Sequence, residues 1–86
     1  MATSFTFTVT DPEGMHARPA GKVVEKAQSY QSSITLTDGD KTVDAKRIFG
    51  VMGLGAKCGD TITVNIDGED EATAFVEFEQ FLKENL

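Results

Sequence analysis

The chain contains one histidine, in the run Gly14-Met15-His16-Ala17-Arg18-Pro19-Ala20. Proline is tolerated in the first helical turn because the early backbone N–H groups have no intrahelical partner to lose, so Pro19 marks a helix start. His16 therefore falls at or just ahead of a helix N-terminus, where free N–H groups and the positive end of the helix dipole attract an anion. The same field favours a neutral imidazole, which keeps a lone pair on one ring nitrogen. That nitrogen is a nucleophile. A phosphoryl group bonded to it would lie on the waiting N–H groups, and Arg18 could give its oxygens a charge-assisted hydrogen bond. Lys22, four residues beyond Arg18 on the same helix face, adds positive potential.

Other chemistries find less support in the residue types. Taken alone, a histidine at a helix start is more often a weak cap or a surface residue than a nucleophile, and the ring alone does not decide. Neither a second histidine nor a second cysteine is present, so the usual zinc spacings are missing and no metal is expected. The single cysteine, Cys58, excludes an internal disulfide and suits a reduced, cytoplasmic setting; it is expected to be a small buried or half-buried apolar residue. Nothing marks a serine or cysteine as the nucleophile of a hydrolase triad. Gly50, Gly53 and Gly55 spell neither a dinucleotide fingerprint nor a Walker pattern, and no cofactor is expected.

Eighty-six residues make one small domain, residues 1–86, with 40% apolar content and no staple beyond packing. The net charge of −6 argues against non-specific nucleic-acid or anionic-membrane binding as the main task. Residues 60–86 carry eight acids against Lys83, which leaves residues 1–59 slightly basic, so an anion belongs to the N-terminal two-thirds. The acidic tail reads as a solvated helix face or, less simply, as a docking surface. The first ten residues alternate instead of forming a basic start and apolar run, and no long apolar stretch follows. Neither export nor membrane insertion is expected.

The elements that must position His16 follow from periodicity. Phe5, Phe7 and Val9 alternate with Ser4, Thr6 and Thr8 as in a half-buried strand, which Asp11-Pro12-Glu13-Gly14 ends. Ala20, Val23, Val24, Ala27 and Tyr30 recur at helical spacing, predicting a helix over roughly 17–28. Ile34 and Leu36, the turn Asp38-Gly39-Asp40, then Val43 and Ala45 predict a hairpin. Residues 46–54 allow one or two helical turns with Val51 and Leu54 inward. Ile62, Val64 and Ile66 mark a strand. Ala72, Phe75, Phe78 and Leu82, widened by Val76, Leu86 and Phe81, mark a terminal helix from about Glu69. The order is β-α-β-β-α-β-α, and one-sided alternation in every strand requires a sheet wet on one face. The fold class is α+β, an open-faced β-sandwich: a four-stranded antiparallel sheet with its helices on one face. Ile48, Phe49 and Met52 fall on a different side of the short helix from Val51 and Leu54; periodicity leaves open whether they are core or a docking patch rimmed by Lys46 and Arg47.

The run around His16, with Lys46-Arg47-Ile48-Phe49-Gly50-Val51-Met52-Gly53-Leu54-Gly55 some thirty residues later, resembles the HPr family of the bacterial phosphoenolpyruvate-dependent sugar phosphotransferase system. The similarity covers essentially the whole chain. It implies a cytoplasmic, monomeric phosphocarrier in sugar uptake, a component of a transferase relay instead of a free-standing enzyme. His16 would accept a phosphoryl group at Nδ1 from phosphorylated enzyme I and pass it to the A component of a sugar-specific enzyme II. Arg18 would assist at the phosphoryl group, with the backbone N–H groups of Ala17 and Arg18 as donors, and the 46–55 segment would contact donor and acceptor. Arg47 departs from the pattern: many Gram-positive members have there a serine that a dedicated kinase phosphorylates, and arginine offers no hydroxyl. A paralogue serving a nitrogen-regulatory or dihydroxyacetone-kinase relay would look the same. A regulatory binding module would typically lack the histidine.

Overall fold

The computed structural model describes residues 2–86. The elements run β1 (Ala2–Thr8), α1 (Ala17–Gln28), β2 (Ser33–Asp38), β3 (Lys41–Asp44), α2 (Ile48–Gly53), β4 (Thr61–Asp67) and α3 (Glu71–Asn85). The strands form one sheet in the order β1-β4-β2-β3, with every neighbouring pair antiparallel. Register turns the alternation of each strand into a two-faced sheet. Phe5, Val64, Leu36 and Val43 make one row across all four strands on the covered face. Thr6, Thr63, Thr37 and Thr42 make the next row on the open face, where the Thr37 and Thr42 hydroxyls lie 2.9 Å apart. Because the side-chain period is two, a slip of one residue would put the threonines into the core, and burial of one face therefore fixes the pairing.

All three helices contribute to the one core on the covered face, where Val23 of α1, Val51 of α2 and Phe78 of α3 meet Ile34, Leu36, Val64 and Ile66 of the sheet. Among the described residues, no helix is long and apolar enough to cross a membrane.

The terminal helix departs from expectation in its buried face. Ala74, Phe78 and Leu82 are buried, followed by Leu86, whereas Ala72 and Val76 are exposed and Phe75 and Phe81 are half-buried. The inward stripe is thus one residue row at i, i+4, i+8 and i+12, with the Phe75 ring edge-on to Phe5 at 5.1 Å and the Phe81 ring stacked on Phe78 at 6.4 Å. The start of α3 is held by a connection that sequence spacing does not reveal. Asp70 accepts the amides of Gln31 and Ser32 at 2.9 Å each, and the Ser32 hydroxyl also donates to it. Farther along, the Tyr30 hydroxyl donates to Glu77 at 2.7 Å. Burial, followed by that bond to a carboxylate, pushes the Tyr30 phenol up.

The Ser32 hydroxyl bond, then the Gln31 amide, holds the Asp70 carboxyl below its ordinary value. A carboxyl whose pKa is lower folded than unfolded adds stability above the unfolded value and loses it as pH falls through the folded one. Asp70→Asn is therefore expected to be less stable than the wild type near neutrality, with the gap closing as pH falls from about 4 towards 2. Urea midpoints across that range check this, and a gap independent of pH would contradict it.

Candidate active site

The loop ahead of α1 is seated by Gly14. Its φ of +70° is a conformation that L side chains rarely adopt, and a Cβ there would stand 2.5 Å from the Ala56 carbonyl oxygen and 2.9 Å from the Lys57 Cα. The next amide, Met15, donates to that same Ala56 carbonyl at 2.9 Å, and the Met15 side chain is buried. The chain thus enters the helix from a fixed support.

His16 is the N-cap residue, extended at φ −83° and ψ −176°, and its side chain makes no capping hydrogen bond. The Ala20 amide donates to the His16 carbonyl at 3.0 Å. The amides of Ala17 and Arg18 precede that ladder, and the third helical residue, buried Pro19, has no N–H. The helix end therefore offers donors that its own cap does not use. The imidazole is 35% exposed, so it is held against the protein yet open to a partner. Its Nε2 lies 3.6 Å from Asp11 Oδ2 and 3.5 Å from Glu13 Oε2. These side chains do not form a metal site, nor does any other group of three or more His, Cys, Asp or Glu among the described residues.

The ring opens into a cleft of about 400 Å³ that gathers His16, Arg18 and Lys22 with Asp11 and Glu13 of the loop and Glu84 and Asn85 of α3. The end of α3 also anchors the loop: the backbone oxygen of Leu86 accepts the Thr10 amide, the Asp11 amide and the Thr10 hydroxyl at 2.6 Å each. Spacing missed Asp11, Glu13 and Glu84 as neighbours of the ring, because it read the first two only as turn formers. Cys58 is exposed, not buried or half-buried, with Sγ 3.7 Å from the Thr10 carbonyl oxygen. It follows Lys57 in a turn closed by the Asp60 amide on the Lys57 carbonyl, and the turn keeps it out of the core.

The second motif lines a different cleft, against Val24 and Gln28 of α1. Phe49 is 87% exposed, Met52 is also exposed, and Ile48 divides its surface between core and solvent, while Val51 and Leu54 are buried as expected. Arg47 caps α2, is exposed, and sits 3.8 Å from Asp44. Lys46 lines this cleft as well, half-buried and with its charge tethered. Its ammonium donates to the Tyr30 carbonyl at 2.8 Å, and its own carbonyl accepts from Gln28 Nε2 at 2.9 Å, which fastens α2 to α1.

Fold and site together define a class: small open-faced α+β sandwiches that present one histidine at the cap of the first helix, with an arginine two residues on. A family model described as the PTS HPr component phosphorylation site matches residues 3–84. The chain belongs to the HPr family. It is 48% identical over 69 residues to the phosphocarrier protein HPr of Lysinibacillus sphaericus, covering 80% of this chain and 78% of that protein. It is 49% identical over 67 residues to the phosphocarrier protein HPr of Xylella fastidiosa, covering 78% and 75%. The crystal structure of HPr-C-His from Thermoanaerobacter tengcongensis superposes with a TM-score of 0.91 at 30% identity, covering 96% of this chain and 93% of that one.

Proposed function

We propose that the chain is a cytoplasmic histidine phosphocarrier: His16 Nδ1 takes a phosphoryl group from phosphorylated enzyme I and yields it to the A component of a sugar-specific enzyme II. The observation that carries this reading is a cap histidine that spends nothing on capping, beside amides that its helix does not use. In loading, the Nδ1 lone pair forms the N–P bond while the bond from phosphorus to the donor breaks, its electron pair leaving with the donor. The amides of Ala17 and Arg18, with the Arg18 guanidinium, meet the charge on the phosphoryl oxygens. Unloading reverses these events on a second protein. Phe49, Met52 and the outer part of Ile48, with Arg47, form the apolar and basic surface for brief contacts with such partners.

Mixing the protein with phosphoenolpyruvate and enzyme I should add one acid-labile, base-stable phosphate, read by phosphorus NMR as a single phosphohistidine signal. No signal, or a signal from another residue type, overturns the proposal. Arg18→Ala should slow transfer by about 10- to 100-fold while moving stability by no more than about 0.5 kcal/mol, because the side chain is exposed and its contact is to the phosphoryl group. Arg47→Ser should flatten the dependence of the transfer rate on ionic strength; an unchanged slope would remove Arg47 from the docking surface.

A further inference from the structure

Two carboxylates on one edge of the ring have no part in the reading above. Asp11 Oδ2 and Glu13 Oε2 stand 3.6 and 3.5 Å from Nε2 of His16. The Asp11 carboxylate is fixed independently of the ring, whereas Glu13 is held by its backbone and its exposed carboxylate meets the ring alone. The other Asp11 oxygen, Oδ1, accepts the Glu13 amide at 2.9 Å, the Asp11 carbonyl accepts the Gly14 amide at 2.9 Å, and the Asp11 amide is tied to Leu86. One oxygen of Asp11 therefore builds the turn and the other faces the imidazole. The remaining charged groups of the cleft are Arg18 and Lys22 from α1 and Glu84 from α3.

We propose that Asp11 and Glu13 are positioning residues that keep the ring proton of His16 on Nε2 throughout the carrier cycle. The inference rests on the phosphocarrier reading. A carboxylate beside a ring nitrogen favours the tautomer with the proton on that nitrogen, which leaves the lone pair on Nδ1. The same negative charge keeps an anionic phosphoryl donor away from Nε2, so loading is directed to Nδ1. Once the N–P bond has formed and Nε2 retains its proton, the ring is cationic and faces two carboxylates. In unloading, the acceptor bonds to phosphorus, the N–P bond breaks, and its electron pair returns to Nδ1. Because Nε2 still carries its proton, the departing imidazole is neutral. Without that proton it would depart as imidazolate, a far poorer leaving group. No outside acid is needed.

The test uses Asp11→Asn/Glu13→Gln, which removes both charges while leaving an oxygen to accept the Glu13-position amide. Nitrogen-15 spectra of the phosphorylated wild type at neutral pH should show Nε2 protonated, and those of the double variant should show it largely unprotonated. Release of the phosphoryl group to the acceptor should be about tenfold slower in the variant near neutrality. Identical nitrogen-15 shifts and identical release profiles overturn the inference while leaving the carrier reading intact. A wild-type protein that takes no phosphate overturns the carrier reading itself. Should the double variant fail to fold, Glu13→Gln alone decides: this side chain is 77% exposed, and its loss should slow release about threefold near neutrality.

Discussion

His16→Ala is expected to take up no phosphate at all from phosphorylated enzyme I, while remaining as folded as the wild type. Both halves of that result follow from how the residue is used. The loss is total because the chain has no second imidazole, and the amides of Ala17 and Arg18 serve a phosphoryl group only when it is bonded to an atom at the cap. Stability is spared because the side chain makes no capping hydrogen bond and is partly exposed. Its removal leaves no sealed cavity, and the change should be within about 1 kcal/mol. The measurement pairs phosphorus NMR after exposure to the donor system with a urea unfolding curve. Undiminished phosphorylation in the variant would place the acceptor elsewhere. A variant that fails to fold would show that the ring supports the loop and is not merely displayed by it.

The parts of this molecule that were legible from sequence are those decided locally. Each strand could be read because one sheet face is covered and the other wet, so burial and alternation say the same thing. His16 could be placed at the helix cap because Pro19, three residues on, restricts where a helix can begin. The inward face of α3 could not be read in this way. Its apolar residues surround more than half of the helix, and spacing alone cannot choose between a face centred on Val76 and Phe75 and one centred on Ala74 and Phe78. That choice involves contacts distant in sequence, including the Asp70 carboxylate on Gln31 and Ser32 and the Tyr30 hydroxyl on Glu77. The tether on Lys46 could not be read for the same reason: its bond to the Tyr30 carbonyl joins residues sixteen positions apart. Asp11 and Glu13 could be recognised as turn formers, but their approach to the ring depends on a loop tied to Leu86.

Phe78→Ala tests the face that α3 presents to the sheet, and it carries the largest stability effect we expect. The side chain is wholly buried at 0% exposure, so truncation loses the transfer of a phenyl group and opens a cavity that the sheet beneath cannot fill. The cost should be about 3–5 kcal/mol, a large part of the total for a domain of this size. Phe75→Ala should cost less, because that ring is half-buried, although it also gives up the edge-on contact with Phe5. Val76→Ala should be within about 0.5 kcal/mol of the wild type, since it removes exposed methyl groups. Urea midpoints at constant slope rank the three. Equal costs for Phe78→Ala and Val76→Ala would mean that the helix is turned differently from the way described. The same variant separates fold from chemistry, because α3 reaches the active site only through Leu86 and the residues before it at the cleft. At 25 °C and without denaturant, phosphate uptake per folded Phe78→Ala molecule should stay within about twofold of the wild type, since no group that touches the phosphoryl oxygens has been removed. A much larger fall, with the fold intact, would show that core packing under α3 sets the geometry of the loop carrying Asp11 and Glu13, and through it the ring of His16.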